Sequence, residues 1–240
     1  MVIMGKVALT ICFLFSFFCN STENFVPQFT FSSEIISDME YEQILSNLDL
    51  QFYTTNAIED SIKCFDVNQD GTFALGFSSF EKKTIQVYSQ TGDFQYGYSF
   101  SSTGSFGIEW EENLLRIYLI RSDLVLFVND QGECLDIRSY DVSTNNNNYY
   151  LRHVVFSNTK ETKQGTYNIQ NTAGFMDFFL DSSGQLTLVD HQGTEHILYD
   201  VSEMQKARLI FYFISILILI VAVLWTLRRF FYKKTQETGT

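Results

Sequence analysis

The 240-residue chain is short of the residues from which catalytic and metal sites are usually built. It has three histidines, four cysteines and 16 lysines plus arginines, against 28 acidic residues. The histidines, His153, His191 and His196, have no cysteine or carboxylate cluster at zinc spacing, so a structural or catalytic zinc set is not expected. No Gly-x-Ser-x-Gly elbow, phosphate loop or Ser/Cys–His arrangement occurs, which removes the nucleophilic and nucleotide-dependent classes that such motifs mark. Carboxylate pairs leave no comparable signature. Glu109, Glu111 and Glu112 could converge in a fold, but nothing in the sequence singles out one pair.

The scarcity of basic residues is uneven. Residues 20–206 hold 27 of the 28 acidic but ten of the 16 basic residues, a net charge of about −17. Such a surface repels nucleic acid and anionic headgroups, so no nucleic-acid partner is expected. Cys12 and Cys19 lie in an apolar N-terminal run, leaving Cys64 and Cys134 in the body of the chain. In an exported domain one expectation is that these two pair, which would stabilise by roughly 4 kcal/mol in the chain-entropy model; the alternative is two buried free thiols.

Uncharged length is what the chain does have, at both ends. Leu209–Leu227 is nineteen residues without a charge, followed by Arg228, Arg229, Lys233 and Lys234. As a helix it would reach roughly 28 Å, close to the hydrocarbon thickness of a bilayer. The basic cluster predicts a cytoplasmic C-terminus. At the other end Lys6 precedes the thirteen-residue apolar run Val7–Cys19, the length of a signal-peptide core and too short to span comfortably. An uncleaved anchor is the alternative. The expected division is a signal peptide at 1–19, an N-terminal segment with a short helix and strands at 20–61, a β-repeat ectodomain at 62–206, a transmembrane helix at 207–227 and a basic tail at 228–240. The apolar span has no Gly-x-x-x-Gly, so no helix-driven dimer seam is expected.

Between the ends the pattern is strand-like. A hairpin figure recurs three times: Ile85–Gly92 then Asp93–Tyr98, Val125–Gly132 then Glu133–Ile137, and Leu186–Gly193 then Thr194–Leu198. Each has a polar turn closed by Gly, as a turn requiring positive φ demands. Ahead of the hairpins lie short runs at Phe73–Phe77, Leu114–Ile120 and Gly174–Leu180, and ahead of those, at Ile62–Val67, Ser105–Trp110 and Leu151–Phe156. All are read as strands, giving a four-strand unit. The turn glycines Gly92 and Gly132 are forty residues apart, whereas Gly132 and Gly193 are 61 apart, with Asn145–Asn148 and Asn158–Thr172 read as intruding loops. Upstream, Ser33–Leu48 has helical spacing with Ser33 as candidate N-cap, and Phe29–Phe31 and Leu48–Thr54 are candidate strands.

These units resemble the blades of a β-propeller of the NHL or YWTD sort over about Ile62–Val201. The resemblance implies one four-stranded antiparallel sheet per unit. No Trp-Asp or Tyr-Trp-Thr-Asp motif accompanies it, and three copies are visible where propellers usually have four to eight. Three arrangements follow: an incomplete propeller-like stack, a β-sandwich of the same hairpins, or half a ring completed by a second chain. The fold class expected is an all-β ectodomain of antiparallel hairpin repeats plus one C-terminal transmembrane helix.

Two candidate sites remain. Asp66, Asn68 and Asp70, followed by Gly71, match the opening of a calcium loop, but Ala74 and Phe77 stand where later ligands are needed, so a plain hairpin turn competes. Phe94, Tyr96, Tyr98 and Phe100 would share one strand face at period two, either as an exposed ladder for sugar or peptide or as a buried sheet face. The functional expectation is a non-enzymatic, cofactor-free, single-pass binding, sensing or scaffold module. It would sit in the cell or a secretory-pathway membrane with its N-terminal domain outside and a protein or glycan partner. A carbohydrate-binding or glycoside-active surface protein, and an accessory subunit of a membrane complex, are the alternatives.

Overall fold

In the computed structural model residues 31–237 are described, apart from Asn56, Phe80 and Glu81; the segment 1–19 expected to be a signal peptide and most of the candidate strand Phe29–Phe31 lie outside them. Among the described residues fourteen strands form three antiparallel sheets, none of them closed. The first sheet has the order β2-β6-β5-β4-β3, from Gln51–Tyr53 (β2), Cys64–Val67 (β3), Phe73–Ser79 (β4), Lys82–Tyr88 (β5) and Phe94–Ser101 (β6). The second runs β1-β10-β9-β8-β7, from Glu34–Ile35 (β1), Phe106–Glu111 (β7), Leu114–Leu119 (β8), Leu124–Val128 (β9) and Cys134–Ser139 (β10). The third runs β11 to β14 in sequence order: Thr159–Glu161, Gly165–Gln170, Gln185–Asp190 and Glu195–Asp200. Among the described residues no ring of blades closes.

The first sheet is the middle layer, and period two explains why its strands are apolar on both sides. Cys64, Ala74, Ile85, Val87, Tyr98 and Phe100 pack against Phe106, Ile108, Leu115, Ile117 and Leu126 of the second sheet. Their alternates Phe65, Phe73, Leu75, Phe77 and Tyr88 pack against Tyr167, Leu186 and Leu188 of the third. The outer face of the second sheet is covered by α2 (Asn145–Tyr150), which continues as a π-helix through Leu151–Val155 and buries Leu151 and Val155 beside Tyr118, Val125 and Tyr140. α1 (Asp38–Leu48) rests Tyr41, Ile44, Leu45 and Leu48 on the core between the first two sheets.

The repeated hairpins share one turn. In Ser89–Asp93, Asn129–Glu133 and Asp190–Thr194 the first N–H donates to the fifth carbonyl at 2.8, 3.0 and 3.0 Å, and the Gly N–H donates back to the first carbonyl. The first side chain accepts the N–H of the third and fifth residues, at 3.3 and 3.1 Å for Ser89, 3.0 and 2.9 Å for Asn129 and 2.8 and 2.9 Å for Asp190. Gly92, Gly132 and Gly193 carry φ of 87°, 85° and 81°, where any side chain is strained. In the first two hairpins the register shifts at the second residue of the second strand, Gln95 and Leu135, as a bulge beside such a turn does; in the third it shifts farther along, at Leu198.

Four sequence expectations are corrected. Leu151–Phe156, read as a strand, is helical, because its apolar residues pack as a lid on the second sheet. Gly174–Leu180 is a 3₁₀ helix (Gly174–Phe179) and not a strand. The third sheet takes its first two strands from Asn158–Thr172, read as loop; Tyr167 and Ile169 alternate with polar residues there and face the core. α1 starts at Asp38 with Ser37 as N-cap, its Oγ accepting from Glu40 N while Glu40 returns a bond to Ser37 N, a capping box that Ser33 cannot form.

α3 runs from Ser202 to Glu237 and is one helix long and apolar enough to cross a membrane. It follows β14 after Val201 alone, and Ser202, Gln205 and Leu209 are buried in the domain while Ile210–Trp225 are exposed.

Candidate functional site at the junction of the sheets

The edge strands β3, β7 and β11, one from each sheet, meet at Asp66. Its carboxylate is buried, accepts the backbone N–H of Trp110 on β7 at 2.6 Å and pairs with Lys160 on β11 at 2.9 Å. Lys160 also donates to the Val154 carbonyl at 2.7 Å, tying in the π-helix. One carboxylate thus links all three layers. Burial raises the Asp66 pKa, with the Lys160 charge and the Trp110 hydrogen bond opposing that rise.

A second polar set lies beside it on the outer face of β7 and β8. Glu109 and Glu111 are two residues apart and so share a face. Arg116 binds Glu111 through Nε at 2.8 Å and reaches Glu109 at 3.5 Å, and Glu109 accepts the hydroxyls of Tyr118 and Tyr150. Burial raises both phenol pKa values, and the Glu109 charge adds to the rise. The row continues across paired strands: the Phe127 ring lies between Arg116 and Arg138, at 5.4 and 4.9 Å, and Arg138 pairs with Asp136 at 2.6 Å.

The turns after these three edge strands interlock. Asn68 Nδ2 donates to the Glu112 carbonyl at 3.2 Å and Gln164 Nε2 to the Gln69 carbonyl at 3.1 Å. Beside them is a cleft of about 670 Å³ lined by Asn68, Gln69, Asp70, Trp110, Glu112 and Asn113. It combines one aromatic residue, Trp110, which also packs against the core, with amides and two acids. Comparison with known protein families, with curated proteins and with solved structures finds no match to this chain.

The candidate calcium residues are divided between two jobs. Asp66 faces Lys160, while Asn68 Oδ1 accepts from Gln69 N and Asp70 Oδ1 from Thr72 N within the turn. That turn, Asn68–Thr72, is a fourth copy of the hairpin pattern, with Asn68 N donating to the Thr72 carbonyl at 2.8 Å. Among the described residues no group of three or more His, Cys, Asp or Glu side chains is placed to hold a metal. Cys64 and Cys134 are free thiols, Cys64 buried on β3 and Cys134 half-buried at the start of β10.

The aromatic ladder is split by the β6 bulge. Phe94 pairs with Tyr88 and packs toward the third sheet, whereas Tyr96, Tyr98 and Phe100 face the second. Tyr98 and Phe100 are buried, and the Tyr98 hydroxyl donates to the Asn129 carbonyl at 2.7 Å. They are core, with no exposed ladder. His191 and His196 are exposed, the latter 3.1 Å from Asp190. Arg228 is exposed on α3, and Arg229, Lys233 and Lys234 follow along the same helix. No motif marks Lys160 or Tyr150 in the sequence; their partners, Asp66 and Glu109, lie on distant elements of the fold.

Proposed function

We propose that the chain is a single-pass, membrane-anchored β module that binds or scaffolds a partner outside the cytosol, without catalysis. The observation that carries this reading is the join between domain and span. α3 begins inside the domain, with Ser202, Gln205 and Leu209 buried, and becomes an exposed apolar helix within two turns. No linker intervenes, so the domain stands directly on the bilayer. Orientation follows from Arg228, Arg229, Lys233 and Lys234, which favour a cytoplasmic tail. A non-catalytic role is supported by the pairing of the buried ionisable groups with one another: Asp66 with Lys160, and Glu109 with Arg116, Tyr118 and Tyr150.

The partner surface we assign is the cleft at the interlocked turns, where Trp110, Asn68, Asn113, Asp70 and Glu112 supply a stacking face and polar donors and acceptors. That lining also suits a sugar, so glycan recognition is kept as the second reading, moved from Phe94–Phe100 to Trp110. A cysteine at Thr238 should resist an impermeant maleimide in intact cells while one at exposed Thr103 reacts. The reverse labelling overturns the topology. A glycan array probed with the detergent-solubilised chain separates the two partner classes.

A further inference from the structure

The segment joining β12 to β13 exposes apolar rings beside the start of the apolar span. In the 3₁₀ helix Gly174–Phe179, Phe178 is 89% exposed and Phe179 57% exposed. The two rings meet edge to face at 5.6 Å, and Phe179 packs edge to face on Phe213 of α3 at 5.4 Å. Phe213 is four residues past Leu209, about 6 Å deeper along the helix axis. A ring in contact with Phe213 therefore sits at the depth of the outer acyl chains when α3 crosses the bilayer.

The surrounding polarity agrees with that depth. Charged pairs border the loop on the domain side: Lys63 with Asp181 at 2.7 Å and Arg208 with Asp60 at 2.6 Å. Around the 3₁₀ helix, polar groups bond to one another. Asp177 Oδ1 accepts from Ala173 N at 2.9 Å, Leu180 N donates to the Asp177 carbonyl at 3.0 Å, and Met176 N donates to the Ala173 carbonyl at 3.4 Å. Backbone groups bonded within the loop are what a segment needs to enter the interface without unmet donors. Left in water, two adjacent phenyl rings would form an apolar protrusion with no partner; continuity with the apolar face of α3 gives them one.

We propose that Gly174–Phe179 is a second membrane contact, inserting Phe178 and Phe179 among the lipid acyl chains beside Phe213, so that the domain is held at two points and its tilt is fixed. The proposal rests on the reading of α3 as a membrane span. The test is tryptophan fluorescence of the full chain in phosphatidylcholine vesicles, comparing Phe178→Trp with the parent, which contributes Trp110 and native Trp225 within the span. In vesicles of acyl-brominated lipid the emission added by Trp at 178 should be largely lost, while aqueous iodide leaves it untouched. Phe179→Trp should behave alike and covers the case in which the first variant fails to fold. Added emission quenched by iodide and spared by bromine, with the parent's Trp225 emission still lost to bromine, overturns the loop insertion and leaves the anchor standing. A parent spectrum insensitive to brominated lipid overturns the span, and the inference with it.

Discussion

Lys160→Met tests whether Asp66 joins the three sheets. The substitution keeps most of the aliphatic stem and removes the ammonium that pairs with Asp66 at 2.9 Å, where the two side chains are 13% and 9% exposed. Removing one partner of a buried ion pair costs about 3–5 kcal/mol, because the other charge stays buried and uncompensated. The Trp110 N–H at 2.6 Å still serves the carboxylate, so the lower end, about 3 kcal/mol, is expected at neutral pH. The pH dependence carries the mechanism. Burial already holds the Asp66 pKa above its ordinary 3.8, so the folded state keeps its proton to higher pH than the unfolded chain, and acidification favours folding at this site. Loss of Lys160 moves the pKa further up. The deficit of the variant relative to the parent should therefore shrink between about pH 7 and pH 5, and Asp66→Asn combined with Lys160→Met should recover much of it at both. The assay is urea unfolding in detergent micelles followed by Trp110 fluorescence, with Trp225 as a constant background. A deficit under about 1 kcal/mol, or one equal at both pH values, refutes the buried-pair account.

Three further outcomes follow from local geometry. Gly132→Ala should destabilise more than Gly193→Ala in the same unfolding assay: both sites have left-handed φ, about 1 kcal/mol of strain, but a Cβ at Gly132 would lie 2.4 Å from Phe52 Cβ and one at Gly193 meets nothing within 4 Å. Tyr199 exchanges hydrogen bonds with the Asp60 backbone, and burial pushes its pKa up to about 12. Its contribution is thus whole below about pH 10 and lost as pH rises toward 12, so Tyr199→Phe should lose less stability than the parent over that range, read by phenolate absorbance and circular dichroism together. Burial also raises the Cys64 thiol pKa, more than it does for half-buried Cys134; peptide mapping after iodoacetamide should find Cys134 modified first and Cys64 only on unfolding.

What was legible in the sequence was what neighbouring residues decide. The hairpin turns could be read because Ser89, Asn129 and Asp190 each satisfy N–H groups two and four residues on, and a glycine three residues on accepts the left-handed φ. α3 was legible because a span is a matter of uninterrupted apolar length. β12 could have been read too, since Tyr167 and Ile169 alternate with polar neighbours, but the polar composition around them masked it. Leu151–Phe156 could not: a short apolar run buries equally well as strand or helix, and the choice fell to the open outer face of the second sheet.

The candidate sites were decided by tertiary structure. Asp66 looks in sequence like the first ligand of a cation loop, and it became the tie between sheets because Lys160 arrives from β11. Phe94 and Tyr96 look like one ladder, and a bulge whose register depends on the partner strand sends them to opposite faces. Sequence by itself determined the turns, the alternation and the apolar helix, because each depends on contacts a few residues long. Which charge finds which counter-charge, and which aromatic stays exposed, depends on strands distant in the chain, and only their packing decided it.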